Sequence, residues 1–460
     1  MAFDIIAALE TFKNLLSTLG QAIWLPIFLF IIALIFRARP GRAARAAIII
    51  GVGWIGFNLV MGLFFDTMVP VAKAMVERTG VHFQAIDVGW PVMAAIAYGT
   101  LVGVLVIPIG IVVNLILLAL NLTKTFDIDI WNFWHWAFVG GTVMTWTGDL
   151  AFSLLAAIAY EVFCLKVADW TVKPLWNVFP GYKGYSIPQG GGWVGTVPYL
   201  AVLKPILDRI PLPKADPETV RTKLGILGEP IVIGLIIGAV IAILGGYDPI
   251  GIAKTAMASA AVMLLLPRMI GILMEGLTAI ADSISEYFVK RFAGRRELYI
   301  GMDAAIAIGH PTTVAAGLLL IPITLALAII LPGVIVLPYA DLAATPFFVV
   351  AATPFFAADL IKTIIAGTII MAIFLYLGSW WSPIFTKTAL AIGAITKEKG
   401  MIGCIWLQPY IPVAVAAFSA PPGANYVILI LLILIVLFID RIKSLREVAS
   451  RLYRFEAAKA

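Results

Sequence analysis

The side chains able to do chemistry in this chain are few, and most stand beside glycine or proline. Asp87 and Trp90 fall in "DVGWP", Gln189 in "YSIPQGGGWVGTVP", Glu229 directly before Pro230 in "ILGEPIVIG", and Asp303 and His310 in "GMDAAIAIGHP". Carboxylate, amide and imidazole groups exchange hydrogen bonds with hydroxyls, and an indole face packs against sugar C–H groups. A neutral polyhydroxylated ligand needs such a set. Each residue also has a plainer reading: Glu229 as a helix start, Asp87 and Asp303 as caps, residues 185 to 198 as an ordinary turn. No Walker loop, HExxH or GxSxG motif occurs, and the histidines at 82, 135 and 310 are far apart. No catalytic residue, metal or cofactor is expected. Asp303 and His310, seven positions apart and so two helical turns on one face, leave an intramembrane enzyme as a distant alternative.

The elements that must position these residues are membrane helices. Hydrophobic residues make up 62% of the 460, charged residues 13%, and the mean hydropathy is +1.03, whereas a soluble globular chain carries about 25% charge. Apolar runs fall near residues 20–36, 46–65, 92–122, 135–163, 190–205, 229–247, 252–272, 305–331, 342–378, 401–418 and 426–439. The fold class expected is an all-α polytopic membrane protein of about eleven transmembrane helices. The fifth run, rich in glycine, reads as re-entrant with Gln189 at its tip, because such backbone must be satisfied by protein, water or ligand; the ninth reads as broken at Pro354. No soluble domain is apparent. Cys164 and Cys404 have no metal or redox spacing, and the first span, without a basic leader or cleavage site, reads as retained.

The net charge of +6 does not indicate nucleic acid, since the cations cluster in short segments at 37–45, 204–223, 290–296, 387–399 and 440–454. With eleven spans all five fall on one side, which predicts an inner (plasma) membrane protein with N-terminus outside and C-terminus cytoplasmic. The tail with Arg446, Arg451 and Arg454 fits either an amphipathic surface helix or a solvated helical end. Three matches in register suggest a duplication: Pro26 with Pro230, Asp66 with Glu275 and Asp87 with Asp303, at offsets of 230 − 26 = 204, 275 − 66 = 209 and 303 − 87 = 216. Five spans per copy make the copies inverted, an architecture of secondary transporters with the substrate near the midplane. The predicted division is 1–205 for the first repeat, 206–228 for a cytoplasmic linker, 229–418 for the inverted second repeat, and 419–460 for the final span and basic tail.

"DVGWP", "IDIWNFWH", "SIPQG", "GEP" and "GMDAAIAIGH" follow one another in this order, with "GYDPIGI", "AVMLLLPRMI" and "GLTAIADS" among them. In this the sequence resembles the galactitol-type enzyme IIC permeases of the bacterial phosphotransferase system, from about residue 20 to 375. The resemblance implies a homodimeric membrane subunit that binds a polyol or sugar outside and presents it inside by an elevator-like motion. A separate soluble IIB subunit, itself supplied by IIA, then transfers the phosphoryl group, so that chemistry belongs to the partner. It points to Asp87, Trp90, His135, Gln189, Glu229, Asp303 and His310 as site residues, with a histidine in the family pattern where this chain has Gln189. On a helix starting near Ile130, Trp131 shares a face with His135 and joins the site, while Trp134 and Trp136 point elsewhere as interfacial anchors and Asp127 and Asp129 cap the helix. The competing reading is an ion-coupled secondary transporter of sugars or polyols without phosphorylation, with Glu229 or Asp303 carrying the proton.

Overall fold

The computed structural model describes residues 21–35, 37–80, 83–219, 229–292, 297–391, 400–406 and 424–439, with the single positions 11, 18, 19, 226 and 395. His82, most of the run 401–418 and the basic tail lie outside the described residues.

Two long helices dominate one part of the molecule. After α1 (Gln21–Ile35), α2 runs over Pro40–Thr79, about 60 Å at 1.5 Å per residue, twice the hydrocarbon thickness of a bilayer. Proline stands at its first position, where no amide is needed, and Gly80 ends it in the left-handed conformation at φ 63°. Its counterpart is α9 (Pro249–Phe292), preceded by α8 (Pro230–Leu244). Helices α2 and α9 pack backbone to backbone: a Cβ on Gly53 would lie 2.7 Å from the Leu273 nitrogen, and one on Gly276 would lie 2.6 Å from the Ala46 carbonyl oxygen. Only glycine permits that approach.

Elsewhere the helices are broken. The run 92–122 divides into α3 (Trp90–Gly99) and α4 (Leu101–Ala119), and 135–163 into α5 (Phe133–Thr147) and α6 (Leu150–Val178). The fifth run becomes a turn-rich stretch followed by α7 (Val197–Leu207). The eighth contains α10 (Ala305–Ile308) and α11 (Pro311–Ile330), and the ninth α12 (Thr345–Val349), α13 (Ala352–Phe355) and α14 (Leu360–Ala391). Four of these breaks have a capping side chain that takes an orphan helix amide, whereas the step from α12 to α13 has none. Thr100 Oγ1 accepts from the Gly103 amide at 3.0 Å, and Asp149 Oδ1 from Phe152 at 3.0 Å. His310 Nδ1 accepts from Thr312 at 3.2 Å, and Asp359 Oδ1 from Ile361 at 3.0 Å. The ninth run breaks at Ala357 and Ala358, both at positive φ, and not at Pro354, which lies inside α13. The last described helix is α15 (Ala424–Phe438). Among the described residues five helices are long and apolar enough to cross a membrane, namely Pro40–Arg78, Leu150–Val178, Pro249–Leu277, Pro311–Ile330 and Leu360–Ala391. This is a helical membrane protein with shorter apolar helices between its long ones.

The structure adds what an all-α reading omits: two three-stranded parallel sheets made of strands two or three residues long. In sheet A, β1 (Ala85–Asp87) lies between β5 (Val336–Leu337) and β6 (Met401–Gly403). In sheet B, β4 (Tyr299–Gly301) lies between β2 (Thr125–Asp127) and β3 (Tyr185–Ser186). Each central strand is flanked by strands from the other half of the chain. Ala85 and Met401 start as parallel neighbours, although the charge pattern assigns segments 66–91 and 387–399 to opposite faces. The breaks at 148–149 and 357–359 supply chain reversals that a count of apolar runs passes over.

Candidate sugar site

The ends of the six strands lead into the site. At the end of sheet A, Asp87 is buried and its carboxylate is occupied by the backbone: Oδ1 accepts from the Gly89 amide at 3.1 Å, and Oδ2 from Tyr339 at 3.2 Å and Asp341 at 2.8 Å. Asp341 in turn accepts from the Trp90 amide at 2.9 Å and from the Cys404 thiol at 3.1 Å. Asp87, Asp341 and Cys404 bring ligand-type atoms within 4.8 Å of one another, but amides and a thiol fill the carboxylates. The group ties three strands together and fixes where Trp90 begins α3.

At the end of sheet B the acids are arranged differently. Asp127 Oδ1 accepts from the Asp129 amide at 3.1 Å and from Asn132 Nδ2 at 3.0 Å, while the Asp127 amide donates to Asn114 Oδ1 at 2.9 Å. Asp129 Oδ1 accepts from Trp131 at 3.2 Å, and its Oδ2 from the Asp303 amide at 3.3 Å. Asp129 thus caps the following turn, as expected, and also holds the strand end that carries Asp303. Asp303 Oδ1 accepts from the Ala305 amide at 2.7 Å.

Between the two sheet ends lies a cavity of about 330 Å³, lined by Trp90, Trp131, Trp134, Gln189, Asp303, Ala305, Phe347 and Trp406 from the broken-helix part, and by Trp54, Phe57, Asn58, Met61 and Gly62 of α2. The volume is at the small end of ligand pockets, roughly 300–1,000 Å³. Asp303 is its single charged residue among those described. Gln189 Oε1 accepts from the Trp193 amide at 3.0 Å, which fixes the amide and leaves its NH2 as the donor available to a ligand. Trp90 meets Trp131 edge-on at 6.3 Å, stacks with Trp134 at 6.5 Å and lies 6.5 Å from Trp406. One acceptor, one donor and a box of indoles suit hydroxyls and C–H faces.

Of the eight expected residues the structure brings Trp90, Trp131, Gln189 and Asp303 to this cavity, and the other four elsewhere. Asp87 sits behind Trp90 in sheet A. Glu229 is exposed at the residue before α8, does not line the cavity, and has the helix-start position. His310 caps α11 and faces the Phe179 ring edge-on at 5.4 Å. His135 is fully buried under the glycine-rich segment, where a Cβ on Gly190 would lie 2.7 Å from its own Cβ. The phase differs from expectation because residues 130–132 form a 3-10 turn and the α-helix starts only at Phe133. At three residues per turn Trp131 and Trp134 eclipse, so Trp134 takes the cavity face. Trp134 and Trp136 are buried and are not interfacial anchors.

Residues 54, 57, 58, 61 and 62 of α2 also line the cavity, and the signal that could have found them is a spacing that puts them on one helix face with the polar Asn58 among them. Trp406, just beyond β6, carries no local signal. Phe347 is one more apolar residue in a long apolar run.

The family model for EIIC-GAT, described as a PTS system sugar-specific permease component, matches residues 14–400. A protein of Escherichia coli (strain K12), provisionally named a permease IIC component, is 40% identical over 398 residues, covering 86% of this chain and 90% of its own. The PTS system galactitol-specific EIIC component of the same strain is 35% identical over 388 residues, 84% of this chain and 85% of its own; its counterpart in Escherichia coli O157:H7 matches equally. Family and apolar helices together indicate a multi-pass inner-membrane protein, and the family implies a sugar or polyol substrate and IIB and IIA phosphotransfer partners. With its helices broken around an indole-lined cavity that holds one carboxylate and two amides, this chain belongs to the galactitol-type sugar-specific permease (IIC) components of the PTS.

Proposed function

We propose that the cavity binds a neutral polyol of the galactitol kind on the outer side and delivers it to the inner side, where a separate IIB subunit phosphorylates it. The observation that carries this reading is the lining itself: one carboxylate, the two amides of Gln189 and Asn58 and five indoles, with no cation among the described residues to hold an anionic sugar. The cavity also lies where α2, part of the long-helix unit, meets the broken-helix unit. A core of broken helices that slides along the long helices, in an elevator-like motion within a homodimer, would carry Asp303 and Gln189 past Trp54 and Asn58.

Two inverted repeats, 1–205 and 229–418, fit this motion. The order long helix, strand, broken helix, strand, broken helix, strand recurs in both. The capping positions recur with it: Thr100 and His310 differ by 310 − 100 = 210, and Asp149 and Asp359 by 359 − 149 = 210. Segments following both sheets line one cavity, as expected of copies that point at each other across the midplane.

Thermal-shift measurement on purified protein tests the ligand class. Galactitol and related hexitols should raise the melting temperature, with the logarithm of ligand concentration once it exceeds Kd, and the anionic ascorbate should not. Stabilisation by ascorbate alone would overturn the reading. Uptake by vesicles that lack the soluble phosphotransfer proteins, driven by a proton gradient, would instead establish the ion-coupled transporter.

A further inference from the structure

Glu161 lies in the middle of α6, 1% exposed, and its Oε1 is buried without a hydrogen-bond partner. It is packed between α4 and α5: a Cβ on Gly110 would stand 2.9 Å from Phe133, 3.0 Å from Trp136 and 3.3 Å from Glu161 Oε2. Asp127 at the end of β2 is held one turn further along α4 from Gly110, where Asn114 accepts from the Asp127 amide and donates to the Thr125 carbonyl. Asp127 is buried too and takes its hydrogen bonds from the Asp129 amide and Asn132 Nδ2, whose own Oδ1 is buried without a partner. Neither acid has an ion pair among the described residues.

A charged residue at membrane depth costs about 2.5–3.5 kcal/mol even on insertion scales, and two like charges at one site raise that cost. One hydrogen added to the pair removes the repulsion and gives an unpartnered acceptor something to bind. We propose that Glu161 and Asp127 form a proton-binding site inside the broken-helix core, separate from the sugar cavity, whose occupation sets the position of Asp303. The connection is two hydrogen bonds long: Asp127 Oδ1 accepts from the Asp129 amide, and Asp129 Oδ2 accepts from the Asp303 amide. With the proton bound, Asp127 keeps this chain of contacts; with the proton lost to water, two carboxylates repel and the chain loosens. No electron moves and no other reactant is needed.

The other titratable groups near the pair are Tyr160 and Cys164 on α6 itself, His135 on α5, Asp129 beyond β2, Asp303 beyond β4 and Tyr185 on β3, with Lys166 and Asp169 further along α6. Helix α4 contributes only the neutral Asn114 beside Asp127. Tyr182 lies beyond the far end of α6, and Tyr426 of α15 is bonded to Asp149 at the near end.

Infrared spectroscopy of the purified protein in deuterated buffer tests the proton site without any sugar. The carbonyl stretch of a protonated carboxylic acid should be present at neutral pH, disappear as pH is raised, and be absent in Glu161→Gln. In Asp127→Asn, which folds around a neutral isostere and removes the like charge, it should disappear at lower pH than in the wild type. A spectrum unchanged in Glu161→Gln, or one that responds to sodium and not to pH, would overturn the proposal. The link to the cavity rests on the sugar reading and has its own measurement: galactitol affinity by calorimetry from about pH 6 to about pH 9. Wild-type affinity should fall with rising pH, by at most about tenfold per unit for one linked proton, and Glu161→Gln should bind independently of pH. A wild-type profile retained in Glu161→Gln refutes the link. If galactitol fails to bind at every pH, the sugar reading falls and the infrared result alone decides the proton site.

Discussion

At the end of sheet A, Asp87 receives amide hydrogens from Gly89, Tyr339 and Asp341, and it does not line the cavity. At the end of sheet B, Asp303 receives one from Ala305 and lines it. Both aspartates are buried beside a central strand, and both are followed by a broken helix. Their roles differ because of what surrounds them. Backbone donors that converge on a carboxylate make it a fastener; a carboxylate with a single backbone donor keeps lone pairs for a ligand. Asp87 belongs to β1, whereas Asp303 stands two residues beyond the end of β4. Aspartates that a sequence comparison aligns therefore need not be equivalent.

The substitution with the largest expected effect is Asp87→Ala, which strips three buried amides of their acceptor at about 1–3 kcal/mol each. Little folded protein should be recovered, as judged by size-exclusion chromatography in detergent. Asp303→Asn comes next: it preserves an oxygen for the Ala305 amide but loses the charge, so galactitol affinity should fall by about 10- to 100-fold, roughly 1.5–3 kcal/mol, with the melting temperature unchanged. The reverse pattern, a stable Asp87→Ala and an unfolded Asp303→Asn, would exchange the roles assigned to the two sheet ends.

The smallest effect lies at the outer end of sheet B, where Lys124 Nζ and Glu297 Oε2 are 2.7 Å apart and both exposed. The Lys124 ammonium and the Tyr299 hydroxyl hold the Glu297 carboxyl below its usual range. Its contribution is therefore present above the unfolded value, about pH 4.3, and fades as pH falls through the folded one. An exposed pair contributes at most about 1 kcal/mol. Glu297→Gln should shift the melting temperature slightly at neutral pH and not at all in strong acid.

Trp90, Gln189 and Asp303 were legible because a glycine or proline beside a polar or aromatic group is conspicuous in an apolar run. The helical breaks were partly legible for the same reason. Strands of two or three residues leave no periodicity to detect, so sheets A and B, and with them the true surroundings of Asp87, were not. Asp341 and Cys404 carry little local signal, since Asp341 acquires its meaning from Asp87, 254 positions away, and Cys404 from Asp341, 63 positions away. Trp131 and His135 show a subtler limit, where a three-residue 3-10 turn was enough to exchange His135 for Trp134 at the cavity wall.

The exchange of strands between halves also sets a timetable for biogenesis. Strand β1 begins at Ala85, and its first partner, β5, begins at Val336, so 336 − 85 = 251 further residues must be synthesised before any pairing is possible. At about 5–20 residues per second this is roughly 12–50 s. Throughout that interval the nascent chain holds a buried-to-be aspartate, Asp87, with its local donor Gly89 but without the Tyr339 and Asp341 amides that complete its set. The ribosome-bound intermediate thus exposes a carboxylate that the finished protein hides, which makes this interval the stage at which membrane insertion most needs protection from misassembly.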